Sequence, residues 1–176
     1  RCAEQPFFSF DDWFIGSTKV PRGVTEETRK LTKQFHYNDI QSLKTQINRF
    51  KNNIACVILE PSSTECPKIN KEDSACCNLS KCNRNFKKEN HFLKQVELVC
   101  KKNNIVFILD EMITGFRWHL KGAQNFYGVK PDLSTFGKAM ANGFSVSAVC
   151  GKKKIMELGS ITKRKEERVF LLSTTH

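Results

Sequence analysis

Three residues capable of chemistry follow strand-like runs in this sequence, two of which are wholly apolar. Glu60 comes after "IACVIL", Asp110 comes after "IVFIL", and Lys138 follows "STFG". An acid behind an apolar run is costly to bury unless a cation or hydrogen-bond donors meet it. Asp110 therefore predicts either a cationic partner or a strand end capped by nearby backbone amides, and spacing alone favours the capped strand end.

Lys138 lies between two glycines, Gly137 and Gly143, in the stretch "STFGKAMANGF". Glycine lets the backbone approach a ligand closely, and a lysine held in a pocket can act as an amine nucleophile. The chain has many lysines, so a solvated side chain is the alternative interpretation of Lys138.

Alternating helical and apolar segments must position these residues. Residues 38–53 have apolar side chains at helical spacing, with Asn38 as the expected N-cap and Gln41 three residues later. The segment 54–61 is apolar and rich in β-branched residues, which predicts a strand covered on both faces.

The same alternation repeats further along the chain. Residues 91–104 predict a helix and 105–111 a second buried strand, and further strands are expected at 131–136 and 145–151. This order predicts an α/β fold with a mainly parallel sheet. Ligands of such sheets bind outside the carboxyl ends of the strands, where the three residues fall.

The segment 62–90 follows no helical or strand period and is rich in lysine and asparagine. We interpret it as an inserted surface loop, because it is long for a connection in a compact domain. A zinc cluster of Cys66, Cys76, Cys77 and Cys82 is the alternative, but no CxxC pair is present and the spacing is irregular. We therefore predict no metal site.

Bulk composition excludes several classes of function. The net charge is +11, but the basic residues are spread out and form no nucleic-acid-binding motif, so no nucleic-acid partner is expected. No run of about 18 apolar residues predicts a membrane span. The eight cysteines are scattered rather than arranged as a disulfide framework, which favours a reducing compartment, the cytoplasm or an organelle stroma.

Two motifs together give the sequence a family resemblance. "ILDEMITGFR", followed by "PDLSTFGKAMANG", resembles the class III, fold-type-I, pyridoxal-phosphate-dependent aminotransferases, and most of all the glutamate-1-semialdehyde 2,1-aminomutase subfamily. "DDWFIGST", "ACVILEP", "GAQNFYGVKPD" and "SAVCGKKKIME" lie in the order that this subfamily has. The resemblance spans nearly the whole chain except 62–90. It implies the three-layer α/β/α cofactor-binding large domain of that fold, present here in part.

The resemblance also implies roles for the residues at the strand ends. Lys138 matches the lysine that binds the cofactor aldehyde as a Schiff base and then moves a proton between the substrate carbon and the cofactor. Asp110 matches the aspartate that pairs with the pyridine nitrogen, so that the ring can act as an electron sink. This pairing would supply the cationic partner of Asp110.

The remaining cofactor contacts implied by the resemblance come from four other residues. Met112 matches a side chain that packs on one face of the ring, and Phe7 stands where the family has an aromatic on the other face. Glu60 matches a glutamate close to the cofactor. Thr175 matches a threonine that reaches the cofactor phosphate in the partner subunit of a homodimer.

The resemblance leaves three functions open. The first is amino transfer within glutamate-1-semialdehyde to give 5-aminolevulinate, a tetrapyrrole precursor. The second is transfer between an amine donor and a keto acid or aldehyde. The third is a non-catalytic remnant. Phe8 and Ser9, which stand where the family has His-Gly after the aromatic, favour it, whereas the retained Lys138, Asp110 and Thr175 oppose it.

The length of the chain affects all three interpretations. The family's enzymes are more than twice as long as these 176 residues, and the phosphate-binding turn and the small domain have no counterpart here. We expect residues 1–176 to be a central piece of the large domain, with weak or no activity alone.

Overall fold

The computed structural model describes residues 1–3, 17, 21–62, 65–69, 86–160, 162 and 164–167. Within them, α-helices span Glu26–Lys30 (α1), Ile40–Arg49 (α2), Phe92–Lys102 (α3), Gly122–Tyr127 (α4) and Lys153–Met156 (α5). Strands span Cys56–Leu59 (β1), Val106–Asp110 (β2), Leu133–Phe136 (β3) and Ala148–Gly151 (β4). Short 3-10 turns lie at Phe86–Lys88, Lys138–Met140, Glu157–Gly159 and Lys165–Glu167.

The four strands form one sheet in the order β1-β2-β3-β4. The first three run parallel, with Leu59 paired to Leu109 and Asp110 paired to Thr135. The fourth runs antiparallel to β3. The predicted α/β fold with a mainly parallel sheet is therefore confirmed, and each predicted strand is present with trimmed ends.

The sheet packs most tightly on one face. Residues of β1 and β2 alternate between buried and half-buried side chains, so the expectation of strands fully covered on both faces is wrong for these two. The buried face joins the apolar faces of α2 and α3 in one core, whose fully buried members include Leu59, Leu93 and Leu109. Burying such side chains stabilises the fold by about 1.5–3 kcal/mol each.

The predicted helix at 38–53 is observed as α2, but its cap differs from the prediction. Asp39, not Asn38, accepts hydrogen bonds from the amides of Gln41 and Ser42, at 3.1 and 3.2 Å. Asn38 has a φ of +58°, a left-handed conformation that asparagine tolerates better than most residues. It bends the chain into the helix while its side chain makes contacts elsewhere.

The side chain of Asn38 instead holds the start of the 62–90 segment. Its Oδ1 accepts from the amide of Lys68 at 2.8 Å, and its Nδ2 donates to the carbonyl of Cys66 at 3.1 Å. Next to it, the Tyr37 hydroxyl donates to the carbonyl of Pro61 at 2.5 Å. The segment 61–69 is therefore fastened to the chain just before α2. Residues 63–64 and 70–85 lie outside the described residues, so the predicted loop is described only at its two ends.

A cluster of aromatic rings closes the other end of the core. Phe86, His91, Phe126 and Tyr127 have ring centroids between 5.1 and 5.8 Å apart. The fully buried His91 donates from Nε2 to the carbonyl of Tyr127 at 2.9 Å, because a carbonyl oxygen can only accept. Burial lowers the pKa of His91. The cluster links α4 to the start of α3.

Candidate functional site

The carboxyl edge of the parallel strands brings the three predicted residues to one side of the sheet. Glu60 and Asp110 stand at neighbouring strand ends, because Leu59 and Leu109 are paired in register. Asp110 pairs in turn with Thr135 on β3, and Lys138 lies three residues beyond Thr135. The edge therefore carries two carboxylates and one amine on consecutive strands, as the sequence predicts.

Asp110 is half-buried and its Oδ1 accepts two hydrogen bonds. The amide of Met112 donates at 3.0 Å and the hydroxyl of Thr135 donates at 2.9 Å. The amide bond is the capped strand end that spacing alone favours, and the hydroxyl bond comes from the neighbouring strand. Within the described residues, no hydrogen bond reaches the second carboxylate oxygen, Oδ2.

Lys138 begins the 3-10 turn that follows β3, and its side chain is exposed. Its φ is +44°, in the left-handed region where non-glycine residues are uncommon and often mark functional positions. No ion pair or hydrogen bond engages its amine within the described part of the chain. An exposed amine of this kind can still react with a carbonyl compound.

Met112 connects the two strand ends through its contact with Gly137. A Cβ placed on Gly137 would lie 2.7 Å from the Met112 Sδ, far inside van der Waals contact. Gly137 has an extended φ of −174°, so glycine is needed here for space and not for an unusual dihedral angle. The thioether of Met112 therefore packs against the backbone that precedes Lys138, and Asp110, Met112 and Lys138 form one local cluster.

Glu60 follows β1 and is 3% exposed. The chain then turns through Pro61, whose carbonyl accepts the Tyr37 hydroxyl described above. The structure therefore places Glu60 at the predicted edge, inside the protein. Of the remaining predicted cofactor contacts, Phe7 and Thr175 lie outside the described residues.

The sequence analysis did not identify two residues that make hydrogen bonds at this edge, Thr135 and Glu111. Thr135 contacts Asp110 directly, and only the β2–β3 register could have indicated it. Glu111, the acid directly after Asp110, is fully buried and caps α4 from a distance. Its Oε2 accepts from the amide of Ala123 at 2.5 Å, and its Oε1 accepts from the amide of Gln124 at 3.0 Å.

Burial raises the pKa of Glu111, although these amide bonds act in the opposite direction. The carboxylate lies so close to α4 that a Cβ on Gly122 would meet its Oε1 at 2.6 Å. Gly122 also has a φ of +78°, which glycine adopts without strain. Glu111 therefore fixes the turn at 112–121 between β2 and α4, and that turn carries Met112.

Cysteines and metal ligands form no cluster in the described part of the chain. No group of three or more His, Cys, Asp or Glu side chains there could hold a metal ion. Cys66 is buried, whereas Cys76, Cys77 and Cys82 lie outside the described residues. No disulfide joins the described cysteines, and burial raises the pKa of Cys100 to about 12. The described residues also include no helix long and apolar enough to cross a membrane.

Comparison with known sequences identifies the family of this chain. The sequence model of the class III aminotransferases matches residues 10–165. Proteins named glutamate-1-semialdehyde 2,1-aminomutase are among the similar sequences. The one from Francisella philomiragia is 38% identical over 143 residues, and the one from Chlorobium phaeobacteroides is 40% identical over 143 residues. Each alignment covers 81% of this chain and 29% of the relative, so the chain spans less than a third of the length of these relatives.

Comparison with solved structures gives the same fold. The FumI protein of Sphingopyxis sp. MTA144, solved with pyridoxal phosphate, superposes with a TM-score of 0.66 at 23% identity, covering 89% of this chain and 33% of that one. An omega-transaminase from Sphaerobacter thermophilus superposes with a TM-score of 0.64 at 21% identity, covering 86% and 34%. The sheet is thus the one found in fold-type-I transaminases. Together with the sequence match, it establishes that this chain belongs to the class III aminotransferases, a family of enzymes that use pyridoxal 5′-phosphate.

Proposed function

We propose that this chain is part of the cofactor-binding large domain of a pyridoxal-phosphate-dependent enzyme that transfers an amino group. The observation that carries the proposal is the cluster at the carboxyl edge of β2 and β3. It combines an exposed lysine amine, a carboxylate oxygen with no hydrogen bond from the described residues, and a thioether packed against Gly137, the residue before the lysine.

These residues fit the chemistry of the cofactor. When bound, pyridoxal 5′-phosphate supplies an aldehyde that captures amines and a protonated pyridine ring that accepts an electron pair. Lys138 offers a primary amine for covalent attachment, and Asp110 offers an anionic acceptor for one N–H donor. Met112 offers a polarisable surface suited to the edge or face of an aromatic ring.

Each residue has a specific task in the proposed site. The Lys138 amine anchors the cofactor and, once displaced by substrate, carries a proton between two carbons as general base and acid. The Asp110 carboxylate holds the proton on the ring nitrogen by its negative charge. Glu60, at the same edge and buried, is a further residue facing the cofactor. We also include Phe7 on the second ring face and Thr175 of a homodimer partner at the phosphate, on the basis of the family resemblance.

We propose amino transfer within glutamate-1-semialdehyde, giving 5-aminolevulinate for tetrapyrrole synthesis, as the reaction of the complete protein. The support is the 36–40% identity to proteins of that name. The second candidate is transfer between an amine donor and a keto acid or aldehyde, which the fold equally supports. Incubation with the semialdehyde, with no keto acid present, separates them, because only the aminomutase then accumulates product. A complete protein that binds no cofactor would indicate the third candidate, a non-catalytic remnant.

The remaining features of the proposal concern the setting of the enzyme. Residues 62–90 form an insertion within the large domain, residues 1–176. We place the homodimer in a reducing compartment, the cytoplasm or an organelle stroma, because the eight cysteines are scattered and show no disulfide framework. Sedimentation of the protein at micromolar concentration measures the oligomeric state directly.

Covalent capture of the cofactor is the first test of the proposed function. The purified chain is mixed with pyridoxal 5′-phosphate, reduced with borohydride and digested, and the labelled peptide is identified by mass spectrometry. We expect the label on Lys138 and its loss in Lys138→Arg, which keeps the charge. Lys130→Ala is the matched control, because Lys130 is also exposed but lies before β3, at the opposite edge of the sheet. Label spread evenly over exposed lysines would contradict the assignment of Lys138.

A further inference from the structure

Within the described residues, the Thr135 hydroxyl makes the only hydrogen bond from a neighbouring strand to the Asp110 carboxylate. The parallel register pairs the two residues, and the Thr135 hydroxyl donates to Oδ1 at 2.9 Å. Thr135 is held on both sides, because β3 pairs with β2 and also with β4, where Thr135 faces Val149. Its β-branched side chain has few rotamers. The hydroxyl is therefore a donor with a well-defined position.

The two oxygens of Asp110 differ in what they can still accept. Oδ1 receives both the Thr135 hydroxyl and the Met112 amide, at 2.9 and 3.0 Å. Each carboxylate oxygen has about two lone-pair sites, so these two donors fill Oδ1. Oδ2 receives no hydrogen bond from the described residues. An incoming N–H donor would therefore be met by Oδ2.

The Met112 amide alone does not fix the plane of the carboxylate. The terminal torsion of an aspartate is broad, and one hydrogen bond leaves rotation about it open. A second donor from a different direction removes that freedom. The amide comes from the same chain segment, two residues on, whereas the hydroxyl comes from across the sheet.

We propose that Thr135 is a positioning residue that orients Asp110, so that Oδ2 points its charge at the ring nitrogen of the cofactor. This inference rests on the proposed function and deepens it, since the ligand is the pyridinium N–H of pyridoxal 5′-phosphate. Thr135 does not touch the cofactor in this account. It acts through Asp110 alone, and its effect is therefore specific to ligands that carry the ring nitrogen.

The test compares two probes that differ at one atom. The first is pyridoxal 5′-phosphate, and the second is its 1-deaza analogue, in which carbon replaces the ring nitrogen. Both have the aldehyde and the phosphate, so the contributions of Lys138 and of phosphate binding cancel in the ratio of the two dissociation constants. Fluorescence titration of the chain gives each constant without any turnover.

Three variants test the inference. Thr135→Val keeps the shape but removes the hydroxyl, and it should weaken binding of pyridoxal 5′-phosphate by about tenfold while the analogue changes by less than about twofold. Thr135→Ser keeps a hydroxyl and should bind within about threefold of wild type. Ser134→Ala is the matched control, because Ser134 is the neighbouring buried residue of β3 and pairs with Leu109 rather than Asp110; it should leave the ratio unchanged.

Each other outcome overturns a specific statement. Equal weakening of both probes by Thr135→Val would mean that Thr135 only supports the fold, which refutes the inference and leaves the proposed function intact. The same shift in Ser134→Ala would refute it too. A wild-type chain that binds neither probe, or binds both equally, would overturn the role of Asp110 in the proposed function, and the inference would fall with it.

Discussion

Glu111 gives the sharpest prediction about how this edge is held together. Its fully buried carboxylate accepts from two backbone amides at the start of α4, those of Ala123 and Gln124. Replacing it with alanine leaves both donors without their acceptor, one of them buried and the other part-buried. An unsatisfied buried donor costs about 1–3 kcal/mol. We therefore expect Glu111→Ala to lower the free energy of unfolding by about 4 kcal/mol, a large share of the 5–15 kcal/mol that typically stabilises a domain.

Glu111→Gln is the more informative variant, because it keeps the shape and one carbonyl oxygen. Its amide NH₂ must then face one of the two backbone N–H groups, so that a single donor loses its partner. The expected loss is about 1–3 kcal/mol. Thr114→Val is the control, because the Thr114 hydroxyl contacts the Glu111 Oε2 only at 3.4 Å; it should cost less than about 1 kcal/mol.

Urea unfolding followed by circular dichroism measures all three variants. The order of stability should be wild type, Thr114→Val, Glu111→Gln and then Glu111→Ala. If Glu111→Gln unfolds at the same urea concentration as wild type, the two amide bonds do not carry the stability assigned to them.

The pH dependence of the stability difference between wild type and Glu111→Gln tests the effect of burial on Glu111. Burial raises the pKa of Glu111 above its ordinary value of 4.5, so the folded chain holds this proton more tightly than the unfolded chain does. The contribution of Glu111 is therefore complete below pH 4.5 and declines as the pH rises through the folded-state pKa. Other carboxyl groups cancel in the comparison with Glu111→Gln. The stability advantage of wild type over Glu111→Gln should shrink from pH 4 to pH 7. An advantage that grows would show that the amide hydrogen bonds, and not burial, dominate the pKa of Glu111.

Three further predictions concern other parts of the structure. Gly137→Ala should displace the Met112 side chain and weaken pyridoxal-phosphate binding severalfold, and adding Met112→Ala should restore the stability lost to overpacking, about 1 kcal/mol in urea unfolding; additive losses would contradict the contact. Because burial lowers the pKa of His91, its contribution to stability should fall as the pH drops below about 6.5, so the stability advantage of wild type over His91→Gln should shrink as the pH is lowered; an advantage that stays constant would contradict the effect of burial. Asn38→Ala should expose the segment 65–69 to faster amide hydrogen exchange, whereas unchanged exchange would mean that other contacts hold it.

Local sequence patterns were sufficient to predict most of the elements. Apolar periodicity marks which face of α2 and α3 is buried, and β-branched runs mark β1 and β2, because these signals arise within a few residues. The cap of α2 was wrong by one residue, since Asn38 and Asp39 are both good caps and only the backbone conformation selects between them. Helix α4 has six residues and begins on a carboxylate eleven positions earlier, a tertiary contact that no local pattern encodes.

Some residues of the candidate site could be predicted from local sequence and others could not. Glu60, Asp110 and Lys138 were predictable because each ends or follows a strand, and parallel strands bring such ends together. Thr135 and Glu111 were not, because their roles depend on which residue lies opposite which across the sheet. A one-residue change of register would turn Thr135 to the other face and leave the sequence pattern unaltered.

The arrangement at this edge also explains why its parts depend on one another. β2 ends at Asp110, and Glu111 follows it directly; the Asp110 side chain bonds Thr135 on β3, whereas the Glu111 side chain bonds the amides at the start of α4. Asp110 is held by β3 and faces the proposed cofactor site, while Glu111 is held by α4 and fixes the turn that carries Met112. Met112 then closes back on Gly137, one residue before Lys138. The positions of the carboxylate, the thioether and the amine are thus set by one continuous set of contacts, so a change at buried Glu111 should reach the exposed Lys138 through Met112.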